Sequence, residues 1–590
     1  MLDWRVLPNE LDFQVRNFSR FVFCGASDPV KKPFTHFWLL IWSLALSLGW
    51  LLPNHYLPWP SFHLEAWVAI LLSAAALVVF LRTSGGTSLY GTSLVALALV
   101  LVPWAQYLAG MQEFIGVVYV ATAYLLGFGL AMIVGARWEA DTPGQLADGL
   151  FLAIGFAALS SVGLQLHQWL QLDRLFLWDM GNQTGRPFAN FGQPNLAGTF
   201  LLWGLLATAW GLQRKYIGLT GALVLALYLL FGVALTGSRT AWMGVAIVVA
   251  ATWLWRKSWR SSRTPLLVTA LGAFFWASLH IKGWVLEQLL MGSVEDLTRI
   301  AGETRPQIWA MLLDAAFERP IFGYGWGQIG AAHLEVASEQ RPLYMLFSNA
   351  HNTLLDLMLW CGIPLGLLID ILALWWLWRS MRVVKNAEDV LLLMLILVIG
   401  NHAMLEYPLS YGYLLLPVGL VIGMLNVRLG FPSWRAGGRW VLFCLWIPGV
   451  LLLTVMVRDY SRVESSYLAL RFEFANLQSA APKEPPDVLV LTHLREMIRY
   501  ARFEPHPGMS EAELKWMLGV ANLYPSAGII HKLAAALAWN GRPAEARLWL
   551  ARMCKMVHPG QCEAVRSAWA NQALNDPLIR AIPWPASEAR

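Results

Sequence analysis

Five short polar clusters interrupt an otherwise apolar sequence, and each carries side chains that can bind or transfer a charged or hydroxylated group. The clusters are 185–195, 236–240, 303–305, 349–352 and 406–408. Arg186, Arg239 and Arg305 supply guanidinium groups, which pair with two phosphate oxygens at once. His351 has an ordinary pKa of about 6.5, so it can accept a proton at neutral pH. These residue types suit a substrate that carries phosphate.

Amide side chains accompany the charged residues. Asn190, Gln193 and Asn195 fall in the first cluster, and Asn352 follows the histidine. An amide both donates and accepts hydrogen bonds, which matches the hydroxyl groups of a sugar. The first cluster therefore combines groups that suit sugar with a guanidinium group that suits phosphate.

Each cluster also has a purely structural interpretation. The first can be a polar entry to a helix. Arg239 can extend to lipid headgroups, and Arg305 can stack on Trp309 one turn later. His351 can cap a helix, and Tyr407 can belong to an interfacial belt of aromatic residues. The local patterns alone leave both interpretations open.

Several familiar chemistries lack their sequence signatures. There is no Asp-x-Asp pair, no Gly-Lys dipeptide of a Walker A loop, no HExxH sequence and no CxxC or Cys/His cluster. We therefore expect an enzyme that works without a cofactor, a nucleotide or a metal. The net charge of +6 does not indicate binding to nucleic acid, because most Lys and Arg before residue 458 lie in short loops between apolar segments.

The elements that must position these clusters are membrane helices. Of the 590 residues, 57% are hydrophobic and 14% are charged, whereas a soluble domain has about 25% charged residues. Apolar blocks of about 20 residues predict an all-α polytopic membrane protein with about 13 transmembrane helices. The predicted spans are 34–52, 64–82, 89–109, 114–136, 147–170, 196–213, 216–236, 240–256, 264–280, 353–378, 388–405, 410–427 and 438–457.

Loop charges predict the orientation of the spans, because Lys and Arg accumulate on the cytoplasmic side. With a cytoplasmic N-terminus, the inside segments carry nineteen Lys and Arg and the outside loops carry eight. The prediction is a cytoplasmic segment 1–33, a transmembrane domain 34–457 and an outside domain 458–590. All five clusters then lie outside, and two outside loops, 171–195 and 281–352, are long.

The second long loop carries the signals of a short helix. Thr304 can cap its start and Pro306 suits its first turn. Apolar residues then recur at helical spacing and predict one buried face. That face consists of Ile308, Met311, Leu312 and Ala315. We expect this helix to lie in or on the membrane interface.

The C-terminal domain is predicted to consist of short amphipathic helices. Residues 531–556 have the pattern of a helical hairpin, in which Asn540 and Gly541 end the first helix and Pro543 opens the second. This hairpin resembles half of a tetratricopeptide-type repeat. The sequence therefore predicts an α-helical, tetratricopeptide-like domain after the last span.

Two of the five cysteines lie close together at the end of this hairpin. Cys554 and Cys562 can close a small loop by forming a disulfide if the domain occupies an oxidising compartment. We therefore predict this disulfide, and we expect Cys24, Cys361 and Cys444 to stay free.

In this order and on one side of the membrane, the clusters resemble the bacterial O-antigen ligase superfamily. The membrane enzymes of that family transfer glycans from a polyprenyl diphosphate in the periplasm. The similar region covers residues 180–425. The matching pieces are Phe188 to Asn195, Gly237-Ser238-Arg239, Arg305 with Trp309, Pro320-x-x-Gly323-x-Gly325, and His351-Asn352.

Residues 458–590 narrow the resemblance, because O-antigen ligases proper usually stop soon after the last span. A helical periplasmic domain is similar to that of the protein O-oligosaccharyltransferases, the branch that glycosylates pilins. Gln193 and Tyr407 also look like functional positions of that branch. One departure is Gly192-Gln193-Pro194-Asn195, where many relatives have Asn-Pro-Asn.

The resemblance implies a donor and a mechanism. The donor would be an oligosaccharide on undecaprenyl diphosphate in the inner membrane, and the acceptor a Ser or Thr hydroxyl of a pilin-like protein. Arg239 and Arg305, with Arg186 as a further candidate, would bind the diphosphate, and His351 would accept or orient the acceptor proton. One direct displacement, without metal, would invert the anomeric centre. The groups that would position substrate are Asn190, Gln193, Asn195, Asn352 and Tyr407.

Three other functions compete with this one. An O-antigen ligase or glycan polymerase would use the same chemistry on a lipid-core or glycan acceptor. A transporter or flippase usually places polar groups near the middle of the bilayer, whereas the clusters here lie at span ends on one side. A membrane-anchored scaffold leaves the arginine and histidine motifs without a role.

Overall fold

A bundle of apolar helices and a cluster of shorter, more polar helices at the C-terminus make up the chain. They are seen in a computed structural model that describes residues 32–82, 87–172, 178–181, 185–288, 304–436, 438, 440–477 and 482–585. The predicted segment 1–33 lies almost entirely outside the described residues. The described part is mostly α-helical and has only two short strands, which confirms the all-α prediction.

Twenty-three α-helices are described, most of them separated by short turns. They are α1 (Lys32–Leu48), α2 (Phe62–Arg82), α3 (Gly91–Leu99), α4 (Leu101–Leu108), α5 (Ile115–Asp141), α6 (Gln145–Trp169), α7 (Pro194–Gln213), α8 (Leu219–Leu235), α9 (Arg239–Leu254), α10 (Thr264–Gln288), α11 (Arg305–Glu318), α12 (Ile329–Val336), α13 (Thr353–Cys361), α14 (Ile363–Val383), α15 (Ala387–Ala403), α16 (Gly412–Arg428), α17 (Trp440–Phe474), α18 (Thr492–Arg502), α19 (Glu511–Leu523), α20 (Ala527–Trp539), α21 (Pro543–Met556), α22 (Pro559–Asn575) and α23 (Pro577–Arg580). Short 3₁₀ helices occupy Arg256–Ser258 and Pro408–Ser410.

Membrane-spanning character is clear for a large part of the bundle. In the described ranges, eight helices are long and apolar enough to cross a membrane: α2, α3 with α4, α5, α6, α7, α10, α14 and α17. Each of the other predicted spans coincides with a helix of 16 or 17 residues, namely α1, α8, α9, α15 or α16. The chain is therefore a multi-pass membrane protein, and the count of thirteen spans stays a prediction.

Helices α5 and α16 pack against each other most extensively, and α6, α7 and α8 form a second packed group. Their facing side chains form one large buried cluster that includes Trp203 of α7 and Leu420 of α16. Strands β1 (Thr87–Tyr90) and β2 (Ser433–Ala436) pair in antiparallel register near one end of α16. The bundle therefore gives the loops at its ends a fixed frame.

Ion pairs fix the end of the bundle where α7 and α16 finish. Arg214 pairs with Asp148 at 2.8 Å, and Arg428 pairs with Glu139 at 2.7 Å. Glu388 lies within 3.3 Å of Arg214 and 3.1 Å of Arg428. Because α7 has 20 residues, this network lies about 30 Å along the helix from the first polar cluster. The network holds these helix ends together, and it takes no part in the polar site described below.

The predicted span 353–378 is broken into α13 and α14 at Gly362. The glycine has a φ of +84°, and a Cβ atom there would collide with the backbone of Ile321. The backbone N–H of Ile363 donates to the carbonyl of Pro320 at 2.7 Å, and that of Tyr324 donates to Leu359 at 2.7 Å. The turn after α11 is thus bonded directly to the break, which anchors the second long loop to the bundle.

The C-terminal part begins inside a helix. Helix α17 has 35 residues and continues through position 457, where the last span was predicted to end. The hairpin prediction is confirmed, since α20 ends at Trp539, Gly541 has a φ of +79° and α21 starts at Pro543. A likeness to tetratricopeptide repeats stays a prediction.

The predicted disulfide between Cys554 and Cys562 is present, with Cα atoms 5.0 Å apart. Cys361 and Cys444 are free, and Cys24 lies outside the described residues. Between the paired cysteines, Lys555 donates from Nζ to the carbonyl of Ser338 at 2.9 Å. Helix α12 of the second long loop also packs against α19 and α21. The C-terminal domain therefore supports that loop.

Candidate active site

Glu406 is the centre of the polar contacts at one end of the bundle. Its carboxylate accepts hydrogen bonds from Arg305 Nη2 at 3.0 Å and from His402 Nε2 at 3.0 Å, and another from the side-chain amide of Asn195. Burial alone would raise the pKa of Glu406, but the bond and charge of His402, the charge of Arg305 and the Asn195 bond outweigh it and lower the pKa. The carboxyl group is therefore ionised at neutral pH.

Three segments that are distant in sequence meet at this carboxylate. Asn195 lies in the first turn of α7, where Pro194 occupies a first-turn position that suits proline. Arg305 begins α11, with Thr304 before it as predicted, although the Thr304 side chain does not cap the helix. The predicted apolar face of α11 is buried. The local sequence thus forms a helix whose first residue faces the bundle.

Arg186 and Arg239 lie beside this centre. Arg186 donates from Nε to the carbonyl of Thr236 at 3.0 Å and from Nη2 to that of Gly237 at 3.3 Å. Burial, with the nearby charge of Arg239, lowers the pKa of Arg186, and Glu406 acts in the opposite direction. Arg239 is exposed at the start of α9. Arg186 thus joins the first loop to the turn that presents Arg239.

The first loop is held by amide groups. Gln168 of α6 accepts hydrogen bonds from the backbone of Phe188 and Ala189 at 3.0 and 2.9 Å. Asn190 is buried and donates to the carbonyls of Leu51 and Trp178, at 2.8 Å each. The Asn190 side chain is therefore used inside the protein, and it orders the loop.

His351, Tyr407 and Gln193 form a neighbouring group. The rings of His351 and Tyr407 meet edge to face, with centroids 5.1 Å apart, and Gln193 hydrogen-bonds to Tyr407. Burial and the adjacent Glu406 raise the pKa of Tyr407, which keeps the phenol protonated. In the part of the chain described, no hydrogen bond involves the His351 ring, so its nitrogens remain available.

The backbone on both sides of His351 is fixed. Trp309 Nε1 donates to the carbonyl of Ala350 at 3.0 Å, and Asp356 accepts from the N–H of Ala350 at 2.7 Å. His351 itself has a φ of +55°, a conformation that residues other than glycine adopt infrequently. Asn352 caps α13 by accepting from the N–H groups of Leu354 and Leu355. The cap of α13 is therefore supplied by Asn352 and not by His351.

Electrostatics favour a neutral His351. Burial lowers the pKa of the ring, Arg305 lowers it further and Glu406 raises it, with a net effect below the ordinary 6.5. A neutral imidazole can accept a proton at pH 7. The site therefore combines a proton acceptor with a set of guanidinium groups and a protonated phenol.

The structure brings seven of the nine predicted residues together around two adjacent groups and leaves the side chains of Asn190 and Asn352 in structural bonds. Sequence reasoning missed the central roles of Glu406 and His402, and it missed Thr199, whose Oγ1 lies 2.9 Å from His402 Nδ1. The spacing of four residues between His402 and Glu406 was the available signal. Within the described ranges, no three His, Cys, Asp or Glu side chains are grouped as metal ligands would be.

Known families match along most of the chain. Residues 187–210, which contain the first cluster, match the protein glycosylation ligase family. Residues 222–369 match the O-antigen ligase family. Residues 390–572 match the C-terminal part of the virulence factor membrane-bound polymerases. The second match covers Arg239, Arg305 and His351, and the third covers Glu406 and most of the C-terminal domain.

Two relatives from Acinetobacter baylyi are similar over long stretches. A general O-oligosaccharyltransferase is 31% identical over 512 residues, which cover 83% of this chain and 87% of the relative. A ComP-specific O-oligosaccharyltransferase is 30% identical over 322 residues, which cover 53% of this chain and 58% of the relative.

A helical membrane bundle with this polar site and these relatives defines a membrane glycosyltransferase. The chain belongs to the O-oligosaccharyltransferases of the O-antigen ligase superfamily. Its reaction is protein O-glycosylation by transfer of an oligosaccharide from a lipid-linked donor to a protein acceptor.

Proposed function

We propose that the donor is an oligosaccharide on undecaprenyl diphosphate and that the acceptor is a Ser or Thr hydroxyl of a periplasmic, pilin-like protein. The observation that carries this proposal is the contact of Arg305 with Glu406, beside Arg186 and Arg239 and next to His351. Guanidinium groups at the end of a membrane bundle suit a diphosphate whose lipid tail stays in the bilayer.

The displacement occurs in one step. The acceptor oxygen forms a bond to the anomeric carbon, the bond from that carbon to the diphosphate oxygen breaks, and the electron pair leaves with the diphosphate. The acceptor proton goes to His351, whose ring is neutral. Arg239 and Arg305 hold the diphosphate and stabilise the charge that develops on it, with Arg186 beside them. The anomeric centre is inverted, and the step needs no metal.

The other side chains take supporting roles. Gln193, Asn195 and Tyr407 position glycan or acceptor, since their polar groups lie next to His351 and Arg305. Asn190 and Asn352 shape the two loops from inside, because their side chains bond to the protein itself. Hydroxyls of the glycan would bind the half-buried amides of Gln193 and Asn195 in preference to these internal ones.

The proposed location is the bacterial inner membrane, with the N-terminus in the cytoplasm and residues 458–590 in the periplasm. The excess of Lys and Arg in the inside loops supports this orientation, and the disulfide between Cys554 and Cys562 suits an oxidising compartment. An alkaline phosphatase fusion at the C-terminus should be active and a GFP fusion dark. A dark phosphatase with a bright GFP would reverse the orientation.

Transfer by the purified, full-length protein in nanodiscs tests the function. The reaction contains a lipid-linked oligosaccharide and a type IV pilin, and intact mass of the pilin reports the product. We expect a mass increase of one glycan that β-elimination removes. A lipid-core acceptor that becomes glycosylated while the pilin stays unmodified would favour an O-antigen ligase instead.

The matched variants are Arg305→Lys and Arg319→Lys, at the two ends of α11. Arg305→Lys should lose transfer, since lysine keeps the charge but lacks the planar fork that binds two oxygens. Arg319 is exposed, pairs with Glu335 and stacks on Tyr324 away from the site, so Arg319→Lys should retain transfer. Equal activity of the two variants would exclude Arg305 from the diphosphate site.

A further inference from the structure

Two hydrogen-bonded pairs of residues connect α7 to the end of α15. Asn195 and Thr199 lie four residues apart on α7, and His402 and Glu406 lie four residues apart in the facing segment. In the first pair, the Asn195 amide donates a hydrogen bond to Glu406. In the second pair, Thr199 Oγ1 hydrogen-bonds to His402 Nδ1 at 2.9 Å.

His402 connects the two pairs, because it bonds to both Thr199 and Glu406. The exposed fraction of its side chain is 0%, and its two ring nitrogens are both used, one by Thr199 and one by Glu406. A carboxylate can only accept, so Nε2 carries the proton that it donates to Glu406. The Thr199 hydroxyl serves Nδ1 as a donor to a neutral ring or as an acceptor from a protonated one. The ring orientation is therefore fixed in either charge state.

Glu406 links the fixed ring of His402 to Arg305, which we propose binds the donor. One carboxylate oxygen, Oε2, bonds to His402, which leaves Oε1 directed at Arg305 and Asn195. If the ring of His402 turned, the carboxylate could turn with it and Arg305 would lose its fixed partner. A guanidinium group that is held before substrate arrives loses less conformational freedom on binding a diphosphate.

We propose that Thr199 and His402 are positioning residues, which act through Glu406 to hold Arg305 in the geometry that binds the donor diphosphate. This inference rests on the proposed role of Arg305. Neither Thr199 nor His402 touches substrate, because both are buried. Their contribution is to the orientation of Arg305.

Several charged and titratable groups surround Glu406 and bear on any pH dependence. They are Arg186, Arg305, His351, His402, Tyr407 and Tyr411. His402 helps to lower the pKa of Glu406, so the carboxylate stays ionised until the pH falls well below neutral. Weakening the His402 bond should raise that pKa, and Glu406 would then be protonated, and Arg305 released, at a higher pH.

The test compares two threonines of the same helix. Thr199→Val removes the hydroxyl at nearly constant shape, and Thr199→Ser restores it. Thr208→Val is the matched control, because Thr208 is also buried on α7 but bonds only to the carbonyl of Gly204 in its own helix. All variants are purified in nanodiscs, and rates are normalised to folded protein.

The expected result for Thr199→Val is a 3- to 10-fold loss, of about the size of one hydrogen bond, in kcat/KM for the donor. Thr199→Ser should recover to within about 2-fold of wild type, because the hydroxyl returns. Thr208→Val should match wild type. In His402→Gln, the pH at which donor binding weakens in acid should move to higher pH, because Glu406 would release Arg305 earlier on acidification; a loss of folded protein would not produce this change.

Equal kcat/KM in Thr199→Val and Thr208→Val, with an unchanged pH dependence of donor binding in His402→Gln, would overturn the inference. Binding of the lipid-linked oligosaccharide is measured alongside transfer, by filter retention in nanodiscs. If the wild-type protein binds donor but leaves the pilin unmodified, the proposed acceptor is wrong. The positioning role is then decided by whether Thr199→Val weakens donor binding by the same 3- to 10-fold factor, of about one hydrogen bond.

Discussion

Trp309 donates a hydrogen bond from its indole nitrogen to the carbonyl of Ala350 at 3.0 Å, directly before His351. The bond joins α11, which begins with Arg305, to the loop that carries the histidine. Two groups with different proposed tasks are thus held in one unit, in which the Trp309 bond adds to the apolar packing of α11 against Phe347 and Ala350.

Trp309→Phe should lower the transfer rate by about 10-fold, since the Ala350 carbonyl would lose its donor and the loop its fixed position. Folded protein should remain abundant, because the ring is replaced by another ring. The measurement is kcat of the purified variant. Trp253→Phe serves as the control, since the Trp253 indole bonds to Thr269 on an exposed face of α9, and its kcat should equal that of wild type.

Substitution by alanine should affect different properties at the adjacent residues His351 and Asn352: activity at the first and stability at the second. His351→Ala should reduce transfer by about 10²–10⁴-fold, the usual contribution of a general base, with wild-type abundance and retained donor binding. Asn352→Ala should cost about 1 kcal/mol of stability, the worth of a helix N-cap, and leave activity per folded molecule nearly unchanged. A His351→Ala protein of wild-type abundance and activity would remove His351 from the mechanism.

Stability should fall in mild acid because of two buried histidines outside the bundle. Burial lowers the pKa of His333 in α12 and of His493 in α18 to about 4 each, from 6.5. Between pH 6.5 and 4 the unfolded chain binds protons that the folded chain does not, so stability decreases as the pH falls through this window. Each histidine contributes up to about 3 kcal/mol.

Thermal unfolding of the purified protein across this pH window measures the effect. His493→Leu should flatten the dependence, because one of the two buried groups no longer titrates. His506 is exposed in the same domain, so His506→Leu should leave the slope as it is. An unchanged slope in His493→Leu would show that His493 is already protonated in the folded protein.

Reduction of the disulfide should weaken the C-terminal domain and the loop that it supports. Closing so short a ring is worth about 2–3 kcal/mol in the unfolded chain, and Lys555 within the ring bonds to the carbonyl of Ser338. Wild type with a reductant, and Cys554→Ser without one, should both unfold at lower temperature. Cys444→Ser removes an exposed free thiol and should behave as wild type in both conditions.

Local sequence signals predicted local structure well. Pro306 marked the start of α11, and Asn540 and Pro543 marked the turn of the hairpin, because caps and prolines act on the few residues around them. The apolar face of α11 followed from helical spacing in the same way.

Contacts between distant segments were not predictable in the same way. Nothing near Glu406 in sequence indicates that Asn195, 211 positions away, bonds to it. The sequence suggests Asn190 and Asn352 as substrate ligands, because an amide suits a sugar as well as it suits a backbone group. The break at Gly362 was hidden as well, since its cause is the backbone of Ile321, which reaches it through the fold.

Helix α17 has 35 residues without interruption, so it is about 52 Å long. A flexible linker would let the C-terminal domain sample a volume, whereas α17 packs against α2, α5 and α18, so it restrains the domain relative to the bundle. If an acceptor protein binds to this domain, its distance from His351 is restrained, and the choice of glycosylation site would then depend on that distance as well as on the residues around the hydroxyl.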